Sequence, residues 1–248
     1  MAYSDKLVAK YAATRDRIGK EIKKSGALRP GNGLSTWRII PAEEDQEFFV
    51  ERRKHFVAGE PVFCNKSFGK PCAVCDVVSK LREEGESSEA YEIAGSTVFL
   101  FRAVDRKAED EGPQWAEVKR TVMHGILGYI CDPEYGDILD IEKGRDVKIE
   151  RTGTGRQGTR YDVRMAANPS PLHKDPDRVE EWLEAAPSFD TQNAPSDERI
   201  QTLLDKAGLL GILDAPPFSP TEQEEKKPES MSAKERIEAL KKRKAQQT

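Results

Sequence analysis

One histidine and three cysteines crowd into a short stretch of the chain. Their spacing is His55-x8-Cys64-x7-Cys72-x2-Cys75. An imidazole and three thiolates form the ligand set that a tetrahedral, borderline-soft zinc ion prefers. Because four protein ligands leave no coordination position for water, the pattern predicts one structural zinc ion rather than a catalytic one.

Other interpretations of this cluster stay open. The thiols could be buried free cysteines beside an unrelated histidine, and Cys131 or His124 could replace one of the four ligands. A zinc site of the nucleobase-deaminase type requires H-x-E and, later, P-C-x-x-C. Pro71 precedes the C-x2-C pair, but the second residue after His55 is not glutamate, so the proton-transferring group is missing. We therefore expect no catalytic residues and no enzyme activity.

Cations and aromatic residues are mixed in several segments of the chain. Proteins that bind single strands need cations for the phosphates and ring faces on which unpaired bases stack. A basic, glycine-rich hairpin and the segments near the cysteines offer both kinds of group. The predicted DNA contacts are Trp37, Arg38, Arg52, Arg53, Lys54, Phe63, Lys66, Phe68, Lys70, Trp115, Lys148, Arg151, Arg156, Arg160, Tyr161 and Arg164.

The aromatic residues in these segments are not equivalent. Trp37, Trp115 and Tyr161 are the preferred stacking candidates, whereas Phe49 and Phe56 are expected in the core. The cations of the hairpin alternatively form only a solvated sheet face. Its GTGRQG turn is not a nucleotide-phosphate loop, because no G-K-[ST] follows and a strand comes next.

The pattern also predicts the elements that would position these residues. Aromatic and β-branched residues favour strands at WRIIP, EFFVERRKHFV and STVFLFRAV, and DVKIERTGTGRQGTRYDVRMA indicates an antiparallel hairpin. Helices are expected from Val77 to Glu92, at DRVEEWLEAA and at SDERIQTLLDKAGLL, where Ser196 is the N-cap. The stretch EVKRTVMHGILGYIC is compatible with either a strand or a helix.

Changes in composition divide the chain into three regions. Residues 1–33 form a basic N-terminal arm. Residues 34–215 form the folded core, with a zinc subdomain at about 55–92 and an acidic helical extension at about 175–215. Residues 216–248 form a flexible tail with a short basic helix. Since 37% of the 248 residues are hydrophobic, the chain can bury a core of this size.

Composition also limits the classes of protein to consider. No stretch approaches the roughly 20 apolar residues of a membrane span, and the charged N-terminus does not match a signal peptide. We therefore expect a cytoplasmic protein with reduced thiols and no membrane partner. The net charge of −4 excludes a uniformly basic nucleic-acid coat. Screening over about 8 Å makes the local distribution of charge more important.

Several motifs resemble, in the same order, the T-even phage helix-destabilising family of the gene thirty-two type. TWRIIP, the histidine and cysteine cluster, EYGDILDIEKGRDVKIERTGTG and NPSPL carry the resemblance, which covers roughly residues 34–175. It implies an α+β protein with a mainly β core, in which a zinc subdomain is inserted into an OB-fold barrel. It also implies non-specific coating of single-stranded DNA in phage DNA replication, recombination and repair.

The resemblance implies further partners as well. The basic N-terminal arm would bind a neighbouring copy and make DNA binding cooperative, and replication or recombination proteins would join the complex in the host cell cytoplasm. The family has an acidic tail, whereas this chain ends in KKRKAQQT. The alternatives are a zinc-stabilised regulator that binds RNA or duplex DNA, a zinc-dependent nucleotide-modifying enzyme, and a charged scaffold protein.

Overall fold

The computed structural model describes residues 27–42, 46–186 and 194–212, without the side chains of Arg156 and Gln157. Most of the basic N-terminal arm, and the C-terminal tail with its short basic helix, lie outside the described residues. The described fold is α+β and contains a mainly antiparallel sheet of seven strands.

The elements follow the expected order along the chain. The strands are β1 (Gly33–Ile39), β2 (Phe49–Val57), β3 (Glu60–Phe63), β4 (Ser96–Asp105), β5 (Gln114–Lys119), β6 (Val147–Thr152) and β7 (Arg160–Met165). The helices are α1 (Ala73–Glu83), α2 (Ser87–Ile93), α3 (Arg120–Ile130), α4 (Pro176–Ala185) and α5 (Asp197–Lys206), and Gly155–Gly158 forms one further turn. Short 3₁₀ turns lie at Asn65–Phe68, Glu109–Glu111, Pro133–Tyr135 and Leu210–Ile212.

These bounds confirm the predicted strands and the antiparallel hairpin. The helix expected from Val77 to Glu92 is two helices, because the chain turns at Gly85, where φ is 83°. The stretch EVKRTVMHGILGYIC, which was compatible with a strand or a helix, contains both, and they meet between Lys119 and Arg120. Within the described ranges, no helix combines the length and apolar content needed to cross a membrane.

Neighbouring strands follow the order β3, β2, β4, β1, β6, β7, and β5 pairs with β4. The pairs β1–β4, β1–β6, β2–β3, β4–β5 and β6–β7 are all antiparallel. In β6 and β7, Arg151 lies opposite Tyr161 and Lys148 lies opposite Arg164. The pairings establish an antiparallel sheet and do not by themselves define a closed barrel.

The chain forms two compact units. Of the described residues, unit 1 contains 27–42, 46–51 and 98–186, and unit 2 contains 52–97 and 194–212. The predicted zinc subdomain at about 55–92 therefore lies within unit 2. The two helices that the sequence grouped into one acidic extension are divided, since α4 belongs to unit 1 and α5 to unit 2.

The core of unit 1 is formed by one face of its strands and by α3. Side chains at alternate positions of a strand share a face, so each strand contributes every second residue to this core. Trp37 is 1% exposed and meets the ring of Phe101 edge-to-face at a centroid distance of 6.4 Å. The remaining buried members include Ile39, Val118, Val122, Met123, Ile126, Val147, Ile149 and Met165.

A buried arginine network connects the loop before β6 to the sheet of unit 1. The Nη2 atom of Arg38 donates to the carbonyl oxygen of Asp140 at 2.6 Å, and its Nη1 lies 3.9 Å from Asp146. Arg106 pairs with the same Asp146 at 2.9 Å and donates to two carbonyl oxygens of the NPSPL segment. Three of the motifs that carry the family resemblance therefore meet in one structural network.

Gly144 is required in this loop for steric reasons. A Cβ atom there would lie 2.6 Å from the carbonyl oxygen of Ile138 and would also press on the carbonyl oxygen of Asp140 and the guanidinium of Arg38. Such overpacking costs about 1–3 kcal/mol. We expect Gly144→Ala to lower the free energy of unfolding by this amount, measured by urea unfolding followed by circular dichroism.

Gly128 provides the matched control because it lies within α3 with no atom near its missing Cβ. Alanine is favoured over glycine inside a helix by about 0.5–1 kcal/mol. Gly128→Ala should therefore leave the stability unchanged or raise it. Equal effects of the two substitutions would contradict the steric role of Gly144.

Candidate metal centre and cation–aromatic surface

Three neighbouring elements of unit 2 position the predicted metal ligands. His55 lies on β2, and Cys64 directly follows β3. Cys72 is the N-cap residue of α1, and Cys75 lies in the first turn of that helix. Strands β2 and β3 form an antiparallel pair in which His55 lies opposite Val62. Cys64 follows Val62 by two residues, so the end of this hairpin brings both His55 and Cys64 to the start of α1.

The four ligand atoms lie within 4.8 Å of one another. The Sγ atoms of Cys64 and Cys75 are 3.5 Å apart, and Nε2 of His55 lies 3.5 Å from Sγ of Cys75 and 3.6 Å from Sγ of Cys72. The Nδ1 atom of His55 lies 2.9 Å from the carbonyl oxygen of Ile93. An N–H donated to that carbonyl leaves Nε2 as the metal-binding nitrogen. The four residues therefore lie close enough to hold one metal ion.

The surroundings shift the pKa values of two of the thiols in opposite directions. Burial acts to raise the pKa of Cys72, but hydrogen bonds from His55 and from the backbone at Cys75 and Asn65 outweigh it and lower the pKa to about 6. Burial, together with neighbouring Cys64 and Cys72, raises the pKa of Cys75 to about 12. The pKa of Cys75 is thus the higher of the two, and a metal ion that binds both thiols must displace the proton of Cys75.

A hydrophobic cluster surrounds the four ligands. Its members come from β2, β3, α1, α2 and α5, and include Val57, Val62, Val74, Val77, Val78, Leu81, Ile93, Ile200, Leu203 and Leu204. Helix α5 is also held by ion pairs from Arg199 and Lys206 to Glu60, and by Asp197 accepting from Asn65 at 3.3 Å. The sequence did not indicate that α5 belongs to the metal-site unit.

The outward face of the β2–β3 hairpin carries cations packed on aromatic rings. The Cζ atom of Arg52 lies 4.8 Å from the ring centroid of Phe68, and Nζ of Lys54 lies 5.0 Å from that of Phe63. The two rings meet edge-to-face at 6.3 Å. These four predicted DNA contacts are therefore adjacent. Together with Phe56, on the same face of β2, we call them the cation–aromatic surface.

Strand alternation explains why Phe56 belongs to this surface. Because His55 faces the metal site, its neighbours on β2 face the opposite side of the strand. Phe56 is 56% exposed and lies opposite Pro61, so its expected place in the core is wrong. Arg53 lies on the opposite face of β2 from the cation–aromatic surface, and its Nε donates to the carbonyl oxygen of Gly95 at 3.2 Å.

The two predicted lysines of the loop before α1 are exposed. Lys66 lies in the 3₁₀ turn that follows β3, and Lys70 follows that turn. Gly69 ends the turn with φ 71°, a conformation that favours glycine. The Nζ atom of Lys66 lies 3.8 Å from Asp76, a solvent-exposed pair of the kind that contributes about 0–1 kcal/mol.

Two of the predicted DNA contacts are corrected by the structure. Trp37 is packed in the core of unit 1, and Arg38 has no exposed side-chain surface. A ring in the core has no open face for a base, and the Arg38 guanidinium is directed at Asp140 and Asp146. Burial lowers the pKa of Arg38, with the Asp146 carboxylate acting in the opposite direction. Both residues are structural.

The outward face of the β6–β7 hairpin carries mixed charge rather than a uniformly positive stripe. Lys148, Arg160 and Arg164 share this face with Glu150 and Asp162. Arg164 forms ion pairs with both carboxylates, at 2.9 Å from Asp162. Two of the five charges therefore oppose phosphate binding, which favours the alternative of a solvated sheet face.

The remaining predicted contacts occupy other environments. Arg151 and Tyr161 lie on the opposite face of the hairpin and are half-buried. Trp115 is half-buried on β5, opposite Arg102. The side chain of Arg156 is not among those that the structure describes. The DNA roles of these residues stay predictions.

Comparison with known proteins adds no family. No protein-family model matches the chain, and no curated protein matches it.

Protons should compete with the metal ion at this site. Since binding displaces at least the proton of Cys75, whose pKa is about 12, the apparent metal affinity should fall about tenfold for each pH unit below neutrality per displaced proton. Below about pH 6, protonation of Cys72 should steepen the fall. Competition with a chromophoric chelator between pH 5 and 8 measures this dependence.

The chain supplies a matched pair of variants for this measurement. Cys131 is an exposed thiol outside the cluster, so Cys131→Ser should keep both the metal content and the pH profile. Cys75→Ser removes a ligand and should reduce the metal content below one ion per chain. Identical behaviour of the two variants would show that the cluster is not the metal site.

Proposed function

We propose that the chain is a single-stranded DNA-binding protein that holds one structural zinc ion and performs no chemical step. The observation that carries the proposal is the cation–aromatic surface on the β2–β3 hairpin. It combines ring faces and positive charges within a few ångströms of each other, and it is supported from behind by the metal ligands.

Zinc is the metal that the donor set and its spacing favour. Zinc to sulfur bonds of about 2.3 Å and zinc to nitrogen bonds of about 2.0–2.1 Å imply tetrahedral edges of about 3.5–3.8 Å. Three of the separations between ligand atoms, at 3.5, 3.6 and 3.5 Å, are close to those edges, and all four atoms lie within 4.8 Å of one another. Four buried protein ligands complete the tetrahedron, which supports a structural role rather than a catalytic one.

The surface has the chemistry that unpaired bases need. A base stacked on an aromatic side chain contributes about 1–3 kcal/mol, with little dependence on sequence. Phe56 presents an exposed ring, while Arg52 and Lys54 hold their charges over the neighbouring rings. Exposed Lys66 and Lys70 lie on the adjoining loop, where they suit phosphate contacts.

The biological setting of the proposal rests on the family resemblance. The proposal includes an OB-type barrel and the coating of DNA in phage replication, recombination and repair. It also includes cooperative contacts through the N-terminal arm and the recruitment of replication or recombination proteins. The motifs TWRIIP, GRDVKIERTGTG and NPSPL support the fold more than the DNA contacts. Arg38 and Arg145 of the first two motifs donate to backbone carbonyls within the protein, and carbonyl oxygens of NPSPL accept from Arg106.

The main competing function is regulation through RNA or duplex DNA. Such a protein would discriminate sequences by contacts to base edges. The cation–aromatic surface favours single strands instead, since stacking requires unpaired bases. Competition of a labelled oligo(dT) with unlabelled duplex and with oligo(U) separates the three ligands. Preference for duplex, or for RNA, would select the alternative.

Removing one exposed ring should weaken binding without disturbing the fold. Phe56→Ala deletes a ring that is 56% exposed, so unfolding should change little, whereas oligo(dT) should bind about 5- to 150-fold more weakly. Fluorescence anisotropy of a labelled oligo(dT) measures the affinity. An extrinsic label is preferable because Trp37 and Trp182 are buried and report poorly on surface binding.

Tyr91 supplies the control, because it is a 61% exposed aromatic residue on α2 of the same unit, outside the surface. Tyr91→Ala should bind with wild-type affinity. Equal losses for both variants, or no loss for Phe56→Ala, would exclude the hairpin face as the stacking surface.

A further inference from the structure

Asn65 orders the loop that connects two of the candidate metal ligands. It directly follows Cys64 and is buried, with 1% of its surface exposed. Its backbone N–H donates to the sulfur of Cys72, and its carbonyl oxygen accepts the amide of Lys70 at 3.1 Å. The first bond reaches a ligand and the second closes the loop, so a shift of Asn65 would move both.

The side chain of Asn65 depends on a contact from outside this loop. Its Nδ2 donates to Oδ1 of Asp197 at 3.3 Å, whereas its own Oδ1 is buried and accepts from none of the described residues. Turning the amide over would set two oxygens against each other and would leave the amide hydrogens without that acceptor. Because buried polar groups are almost always hydrogen-bonded, Asp197 fixes the orientation of this side chain.

Helix α5 holds Asp197 in place. Asp197 is the first residue of the helix, and the side chain of Ser196 caps it by accepting an amide of the first turn. Ile200, Leu203 and Leu204 anchor the same helix in the hydrophobic cluster that contains the cysteine ligands. The carboxylate is therefore carried by a packed helix rather than by a loop, which suits it for holding a second group in position.

Groups behind the metal ligands influence how tightly an ion is held. An N–H directed at a sulfur stabilises the negative charge that Cys72 needs as a ligand. Without Asp197, the buried amide of Asn65 must shift to find another acceptor, and the backbone N–H shifts with it. Loss of such a partner typically lowers metal affinity about 10- to 100-fold.

We propose that Asp197 is a positioning residue of the metal centre, which acts through Asn65 and controls how tightly the metal ion is held. The inference rests on the structural zinc ion of the proposed function. It gives α5 a part in that site, although Asp197 is not one of the four candidate ligands.

The test is the zinc affinity of the full-length protein, measured by competition with a chromophoric chelator at pH 7. Asp197→Ala removes the acceptor, so the affinity should fall about 10- to 100-fold. Asp197→Asn removes the same charge but keeps an amide oxygen that can accept from Asn65. Its loss should therefore stay below about tenfold.

Glu198→Ala is the matched control, because Glu198 is the other acidic residue in the first turn of α5 and is exposed. This variant removes the same charge from the start of the helix and should keep the wild-type zinc affinity. Cobalt(II) in place of zinc supplies a second readout. Its sulfur-to-metal charge-transfer band should move to longer wavelength in Asp197→Ala and stay in place in Glu198→Ala, since only the former disturbs the N–H at Cys72.

A double variant tests the route through Asn65. In an Asn65→Ala background, Asp197→Ala should cause no further loss of zinc affinity, because its only partner in the site is already gone. This background also removes the buried amide that Asp197→Ala leaves without an acceptor. The comparison therefore stays decisive if Asp197→Ala alone does not fold, as judged by circular dichroism.

The outcomes separate this inference from the proposed function. Wild-type zinc affinity in Asp197→Ala overturns the inference and leaves the proposed zinc site standing. Equal losses in Asp197→Ala and either Asp197→Asn or Glu198→Ala also overturn it, since charge at the start of the helix would then explain the effect. A further loss in the double variant contradicts the route through Asn65. Absence of zinc binding by the wild type defeats both proposals.

Discussion

The convergence of His55, Cys64, Cys72 and Cys75 on one point is the constraint on which the organisation of unit 2 depends. It fixes which face of β2 points inward, and strand alternation then directs Arg52, Lys54 and Phe56 outward. The same point joins the hairpin to the start of α1, so the loop with Lys66 and Lys70 is held beside that face. A metal ion held at this position would stabilise the cation–aromatic surface without itself contacting DNA. Under the proposed function, the metal ion positions the side chains and the side chains make the contacts to DNA.

Unit 1 depends on a different interaction, the buried guanidinium of Arg38. Burying a charge without partners is strongly unfavourable, so the loop before β6 supplies a carbonyl and a carboxylate to it. Arg106 connects the same Asp146 to the NPSPL segment. Residues that look like nucleic-acid contacts in the sequence are therefore used internally. This separates the motifs that determine the fold of unit 1 from the residues of the proposed DNA contact, which centre on the β2–β3 hairpin of unit 2.

Local sequence patterns predicted the helices and strands better than they predicted which face of each is buried and which distant residues it contacts. The C-x2-C pair and the upstream histidine marked the metal cluster, because ligand types and spacing are visible in sequence. Alternation marked the β6–β7 hairpin. The outward position of Phe56 could be predicted only by combining the metal-ligand pattern with strand alternation. His55 must face the metal site, so its neighbour Phe56 must face the other side of β2. Trp37 and Arg38 were misassigned because their partners, such as Phe101 and Asp140, are distant in the chain. The contacts of α5 to Glu60 were hidden for the same reason.

The central claim is that the metal centre positions the DNA-binding surface, and one measurement tests it most directly. The affinity of the full-length protein for oligo(dT) is compared before chelation, after metal removal, and after one equivalent of zinc is restored. We predict that metal removal weakens binding at least tenfold and that zinc restores it, because β2, β3 and α1 lose their common anchor. Unchanged affinity in the metal-free protein would contradict the account.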